Sequence, residues 1–256
     1  MLRLLTALVL IPFIAWTVLA SPYWFFAAVL IITGVLAYRE FDSMVAAAGI
    51  QRAGCYGIAA GLIFLLWPDP LIVIGLLTIG GLTMALRVRN LSGAMAAAAT
   101  FVLGVLYIFG AWRTAIALRA MNPHLLMFAL LLSWAGDTFA LFIGRPFGKH
   151  KMAPIISPGK SWEGAAGSVA GAVLAGWAYA HWLIPTATIQ LVLILAIGGN
   201  IAGQLGDLCE SALKRGADLK DSGTLLPGHG GWLDRIDSSL FSLPMVYALL
   251  KLIWIP

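Results

Sequence analysis

Apolar residues run in long stretches along this chain, broken by short polar or Gly/Pro-containing segments. The stretches cover Leu4–Ala20, Tyr23–Tyr38, Gly54–Trp67, Pro70–Leu86, Ala94–Gly110, Leu125–Ile143, Gly164–Ala180, Ile189–Gly206 and Leu240–Trp254. A helix that crosses a bilayer needs about 20 mostly apolar residues. The pattern therefore predicts an all-α, polytopic integral membrane protein with about nine transmembrane helices. The third stretch is short, and Ala111–Met121 extends or tilts the fifth. Residues 1–120 read as N-terminal transmembrane helices. Residues 121–256 read as a C-terminal transmembrane catalytic region with two long polar loops, 144–163 and 207–239. The first stretch is long for the apolar region of a secretory signal and further spans follow closely, so an uncleaved anchor is expected.

Composition supports this reading. The chain is 61% hydrophobic and only 11% charged, and its mean hydropathy is +0.94, values of a membrane protein rather than a soluble domain. Basic residues also separate by loop. With nine spans, 13 of the 16 Lys and Arg fall at the N-terminus and in the even loops, and 3 (Arg113, Arg119 and Lys251) fall elsewhere. Cytoplasmic loops are enriched in Lys and Arg, so the N-terminus and both long loops are expected on the cytoplasmic side. The net charge of +5 is not gathered in one soluble domain, which argues against nucleic acid as a partner. Cys55 and Cys209 offer no metal-ligand spacing and read as free thiols packed among helices.

Charge is concentrated as well as sided. Ten of the 27 charged residues lie between Asp207 and Asp237. Asp207, Glu210, Ser211 and Lys214 are spaced i, i+3, i+4 and i+7, so a helix places them on one face. An ionisable face at the end of a span is costly unless it lines a wet site. A solvated helix end with an internal ion pair is the plainer alternative. Asp234, Arg235 and Asp237 lead into the last span, with Asp234 and Asp237 expected on one helical face. Two carboxylate-bearing helix ends joined by a loop suit a divalent cation that also takes phosphate oxygens, as Mg²⁺ does.

Between these ends, residues 223–231 contain four glycines, which permit close backbone approach to an anion. His229 in this run reads equally well as a phosphate or base contact and as a structural turn residue. The upstream loop supplies Arg145, Lys149, Lys151 and Lys160, cations suited to a polyanion, though positive-inside charge explains some of them equally well. Asp137 lies within the sixth stretch, roughly 10 Å deep at 1.5 Å per residue. An intramembrane carboxylate suggests function; a structural pairing with Arg145 or Ser133 is the alternative. Tyr38-Arg39-Glu40, at the end of the second stretch, reads as an interfacial anchor.

The run Ser211-x-Leu-Lys-Arg-x4-Lys220-Asp221-x-Gly-x2-Leu-Pro227-x-His229-Gly-Gly-x-x-Asp234-Arg235-x-Asp237 resembles the signature of phosphatidate cytidylyltransferases, also called CDP-diacylglycerol synthases. The preceding Gly206-Asp207 with Glu210, and the FGK…SPGKSWEG loop, are similar to the same family. The likeness covers about residues 134–240. Trp232 and Ser161 depart from the usual residues at their positions, without removing a charge.

The resemblance implies transfer of a cytidylyl group from CTP to phosphatidic acid, giving CDP-diacylglycerol and pyrophosphate in phospholipid biosynthesis. It assigns Asp207, Lys214, Arg215, Lys220, Asp221, His229, Asp234 and Arg235 to catalysis. Lys160, Ser157, Ser161, Glu163, Ser211 and Asp137 are assigned to substrate binding. Asp207 and Asp234, with Asp237 behind them, are the metal ligands it implies, for Mg²⁺ with a second cation left open. The implied partners are CTP, phosphatidic acid and the lipid bilayer, with a homodimer left open. The expected location is a bacterial inner membrane, with the site facing the cytoplasm. Two other readings stand beside this one: a CTP-dependent polyprenol or lipid kinase, and a membrane transporter. The interiors of the other spans are nearly free of charge, which disfavours a transport path.

Overall fold

The computed structural model describes residues 2–88, 90–225 and 230–253, with side chains from Val9 onward. His229 and Arg89 lie outside the described residues. Ten α-helices follow in order: α1 (Leu2–Leu19), α2 (Tyr23–Ala47), α3 (Cys55–Leu66), α4 (Pro70–Met84), α5 (Ala94–Gly104), α6 (Ala111–Met121), α7 (Pro123–Phe147), α8 (Trp162–Leu183), α9 (Ile189–Gly216) and α10 (Asp237–Ile253). Helices α5 and α6 form one rod, joined by a π-helical turn at Val105–Gly110, so Ala111–Met121 continues the fifth apolar stretch. A short antiparallel hairpin, β1 (Lys151–Ala153) with β2 (Ser157–Ser161), links α7 to α8.

Five helical segments are long and apolar enough to cross a membrane: Tyr23–Ala47, Pro70–Arg87, Leu91–Met121, Pro123–Phe147 and Ile189–Gly216. The protein is an all-α, polytopic integral membrane protein. Its helices outrun the apolar stretches that predict them. Helix α2 continues nine residues past Tyr38, and α9 continues ten past Gly206. Loss of hydropathy marks where the chain meets water, whereas backbone hydrogen bonding continues into the polar region. The two long loops are correspondingly shorter than 144–163 and 207–239.

Local sequence explains where several helices begin. Asp69 precedes Pro70, and its carboxylate accepts from Leu71 N at 2.9 Å. Asn122 precedes Pro123 and accepts from His124 N at 2.9 Å. Both pairs combine an N-cap acceptor with a proline whose missing N–H costs nothing in the first turn. Thr188 caps α9 through Leu191 N.

Helix α8 turns a face of small residues inward: Gly164, Gly167, Ser168, Gly171, Ala172, Gly176 and Ala180 are buried. That face packs along α7. A Cβ at Gly171 would run into the Phe139 ring. Lipid tails are as apolar as leucine, so close backbone approach, rather than expulsion of water, holds such a pair together. Polar groups reinforce the bundle. Asn200 is buried and donates to Ser168 Oγ at 3.0 Å, while Gln204 donates to Asn200 Oδ1 at 2.7 Å. Ser133 bonds Ser242 at 3.1 Å, not Asp137.

Two of the minority arginines have structural work at the end of the bundle away from the charge cluster. Arg113 donates to the carbonyls of Phe64 and Trp67, each at 2.7 Å, and of Pro68 at 3.0 Å. Arg119 reaches Val18 O at 2.8 Å and Ser21 O. These carbonyls terminate α3 and α1, where the last turn has no intrahelical donors. Arg113→Ala is expected to lower stability by about 1–3 kcal/mol, read as an earlier thermal transition in detergent, while leaving the site residues in place. Cys55 and Cys209 are free thiols but exposed; they are not packed inside the bundle as expected.

Candidate active site

Four separate segments bring their charged side chains to one end of the bundle. Helix α9 carries Asp207, Glu210, Ser211 and Lys214 on one face, as the spacing predicts. Its last turns leave the apolar region, so the face can meet partners from the loops. Lys214 Nζ lies 2.6 Å from Glu210 Oε2 and 2.5 Å from Asp234 Oδ1. The α7–α8 hairpin lays Lys160 across α9, where Nζ sits 2.7 Å from Asp207 Oδ2. Ser211 Oγ donates to the other oxygen of Asp207 at 3.3 Å. The hairpin tip is tied down by Arg215 Nε, which donates to Ile156 O at 3.4 Å.

Asp234 holds the closing loop. Its Oδ2 accepts from Ser222 N at 3.0 Å and Gly231 N at 2.7 Å, while Oδ1 accepts from Lys214. Asp234 and Asp237 do not share a helical face as expected. Asp234 lies in a separate 3-10 turn (Leu233–Arg235), and Asp237 opens α10. Ile236 between them leaves helical geometry (φ −121°, ψ −4°), which breaks the i, i+3 register. Burial pushes the Asp234 carboxyl up, but Lys214 and the two backbone N–H donors outweigh it and hold it below the ordinary aspartate value.

The sign of the consequence follows from that lowered value. Asp234 contributes stability fully above the unfolded value of about 3.9 and loses it as pH falls through the lower folded value. The stability gap between the parent and Asp234→Asn is expected to stay constant between about pH 5 and 8 and to close below about pH 4. Thermal unfolding at a series of pH values checks this.

Asp137, on α7, is accessible and lies close enough to Asp207, Lys160 and Arg235 to feel their charges. Asp237 is buried at the start of α10, within reach of the charges of Asp207, Glu210 and Asp137. Among the described residues neither Arg145 nor Ser133 pairs with Asp137. Lys220, Asp221 and Arg235 are exposed, and among the described residues none of them forms an ion pair. Asp221 and Asp234 both flank Gly230.

Three proposed substrate contacts have local duties. Ser161 is buried and caps α8 through Gly164 N at 3.1 Å. Glu163 accepts from His150 Nδ1 at 2.6 Å and from His150 N at 3.2 Å. Its own backbone N–H and His150 hold its carboxyl down to about 2. Ser157 opens β2, paired with Ala153.

Two residues of the N-terminal half have places that the sequence reading did not give them. Glu40 is not an interfacial anchor: it is 5% exposed, and Tyr38 is 1% exposed. Helix α2 runs on into the charged end of the bundle, and Glu40 accepts from Ser222 Oγ at 2.9 Å, Trp232 N at 2.9 Å and Leu233 N at 2.8 Å. This also accounts for a glycine of the loop. A Cβ at Gly231 would stand 2.6 Å from Glu40 Oε2. At Trp232 the bond to Glu40 comes from the backbone, so this contact does not depend on side-chain identity. Tyr107, in the π-helical turn, has a buried hydroxyl with no hydrogen-bond partner among the described residues, beside the charges of Asp237 and Glu210. No periodicity marks either residue; both become visible only when the two halves pack.

Paired cations and carboxylates gathered at one end of a membrane bundle suit a polyanionic substrate. The model of the cytidylyltransferase family matches residues 1–253, and the chain belongs to this family. Among similar proteins is the phosphatidate cytidylyltransferase of Staphylococcus haemolyticus, 40% identical over 153 residues, 60% of this chain and 59% of that protein. That of Bacillus subtilis is 44% identical over 154 residues, 59% of this chain and 57% of the relative. That of Haemophilus influenzae is 44% identical over 124 residues, 47% of this chain and 43% of the relative. The matched parts thus span about half the length of these relatives.

Proposed function

We propose that the protein transfers a cytidylyl group from CTP to phosphatidic acid, in phospholipid biosynthesis. The observation that carries this reading is the convergence of Lys160, Asp207, Lys214 and Asp234, from three segments, on one end of the bundle. Membership of the cytidylyltransferase family supports it. In the reaction, a phosphate oxygen of the lipid forms a bond to the α-phosphorus of CTP. The bond from that phosphorus to the bridging oxygen breaks, and pyrophosphate leaves with its electrons. The second pKa of a phosphomonoester is about 6, so the nucleophile is largely ionised near neutral pH and needs little general-base help.

The protein's task is to bring two anions together and to hold the charge that develops on the leaving group. Lys160 and the exposed Lys220 and Arg235 are suited to phosphate oxygens. Lys214 and Arg215 keep α9, the hairpin and the closing loop in register. Asp207 and Asp237, with Asp137 nearby, suit Mg²⁺, which takes one or two carboxylates and completes its shell with phosphate oxygens and water. Both oxygens of Asp234 are already engaged, which makes it a holder of Lys214 and the loop. Mg²⁺ held there would neutralise the phosphates that meet in the cleft. Among the described residues no group of three or more His, Cys, Asp or Glu side chains is placed to hold a metal ion, so substrate phosphates and water would have to complete the shell.

The sided distribution of Lys and Arg supports a site facing the cytoplasm of a bacterial inner membrane. CTP labelled separately on its α- and γ-phosphates tests the reaction. The α label is expected in the lipid and the γ label in pyrophosphate. A γ label in the lipid with release of CDP would identify a kinase instead.

A further inference from the structure

Glu40 is a carboxylate buried on α2, 182 residues before Ser222 and 193 before Leu233, its partners in the closing loop. Among the described residues no cation pairs with it. Its acceptors are instead filled by one hydroxyl and two backbone N–H groups. Burying a carboxylate in such surroundings is costly, and charge-assisted hydrogen bonds to fixed donors are the main compensation. A residue serving only to pack α2 against the loop would not require the charge.

The charge has a directional effect. An ionised carboxylate can only accept, so Ser222 Oγ must donate to Glu40. The lone pairs of that hydroxyl are then left for Asp234 N, which donates to it at 3.3 Å. Ser222 N in turn donates to Asp234 Oδ2, and Asp234 Oδ1 receives Lys214. One connected chain of bonds therefore runs from α2 through the loop to α9.

We infer that Glu40 is a positioning residue of the active site: from the N-terminal half, it holds Ser222, Trp232 and Leu233 so that Asp234 meets Lys214. The catalytic part of this inference rests on the proposed cytidylyl transfer; the loop-holding part does not. Glu40→Gln keeps the shape but presents an amide donor where three donors converge. The variant is expected to lose turnover by about 10- to 100-fold, the usual cost of removing an outer-shell partner. Its KM for CTP should change less than its turnover, because Lys160, on the α7–α8 hairpin, is untouched. Amide hydrogen exchange at Trp232 and Leu233 should accelerate, whereas exchange in the α7–α8 core should not.

Parent-like turnover in Glu40→Gln overturns the catalytic part. Unchanged exchange at Trp232 and Leu233 overturns the inference altogether. If the parent turns over no CTP, the proposed function falls, and exchange alone decides whether Glu40 holds the loop. If Glu40→Gln does not fold, Ser222→Ala carries the test. It removes the hydroxyl between Glu40 and Asp234, and should lower turnover with little change in KM and speed exchange at Leu233; parent-like values of both overturn the inference.

Discussion

Lys214→Met is expected to abolish the proposed turnover and to cost about 3–5 kcal/mol of stability, the usual penalty for breaking a buried ion pair by removing one partner. Lys214 is 8% exposed and Glu210 is completely buried. The Lys214 ammonium is the only cation within ion-pair distance of either Glu210 or Asp234 among the described residues. Without it, two carboxylates face each other in a poorly solvated space. Asp234 keeps its two backbone N–H donors, but Glu210 has no comparable compensation and must take up a proton or draw in water. Helix α9 then loses its hold on the closing loop. The double variant Lys214→Met with Glu210→Gln separates the two losses. Removing the stranded carboxylate should recover much of the stability, read from thermal unfolding, while CTP turnover stays absent. Recovery of turnover in the double variant would refute the assignment of Lys214 to the site.

Asp207→Asn should show the opposite balance, with turnover falling on the order of 10³-fold, comparable to the loss of a dedicated transition-state contact. Stability should move by less than about 1 kcal/mol, because the Lys160–Asp207 pair is partly exposed and screened by solvent. The substituted amide keeps the volume and can still meet Ser211. It loses the charge that orders Lys160 and suits Mg²⁺. Binding of Mn²⁺, followed as broadening in electron paramagnetic resonance, gives a readout independent of turnover and should weaken in step with activity. Near-normal turnover would remove Asp207 from the catalytic set.

The contrast between these variants follows from depth. Lys214 is buried between α9 and the closing loop, whereas Asp207 is partly exposed. Both lie on one face of α9, seven residues apart, so the same helical period serves stability at one point and chemistry at the other. Glu210, between them in the sequence, is completely buried and belongs to the sealed part.

Much of this was legible in the chain. Long apolar stretches set the helices, because a segment in lipid must satisfy its own backbone hydrogen bonds. The i, i+3, i+4, i+7 spacing placed Asp207, Glu210, Ser211 and Lys214 on one face, because the helical period is a local property. The sequence alone also located the charged end and suggested the family to which the chain belongs. It did not reveal that Lys160 crosses to Asp207, that Asp234 and Asp237 lie in different elements, or that Glu40 holds the closing loop. Those relations join residues as many as 193 positions apart, and nothing in local periodicity encodes which distant donor a buried carboxylate will meet. Helix packing decided them: once α2 lies against the Leu233–Arg235 turn and α9 against α10, the carboxylate of Glu40 faces a fixed set of N–H groups that offset its cost of burial.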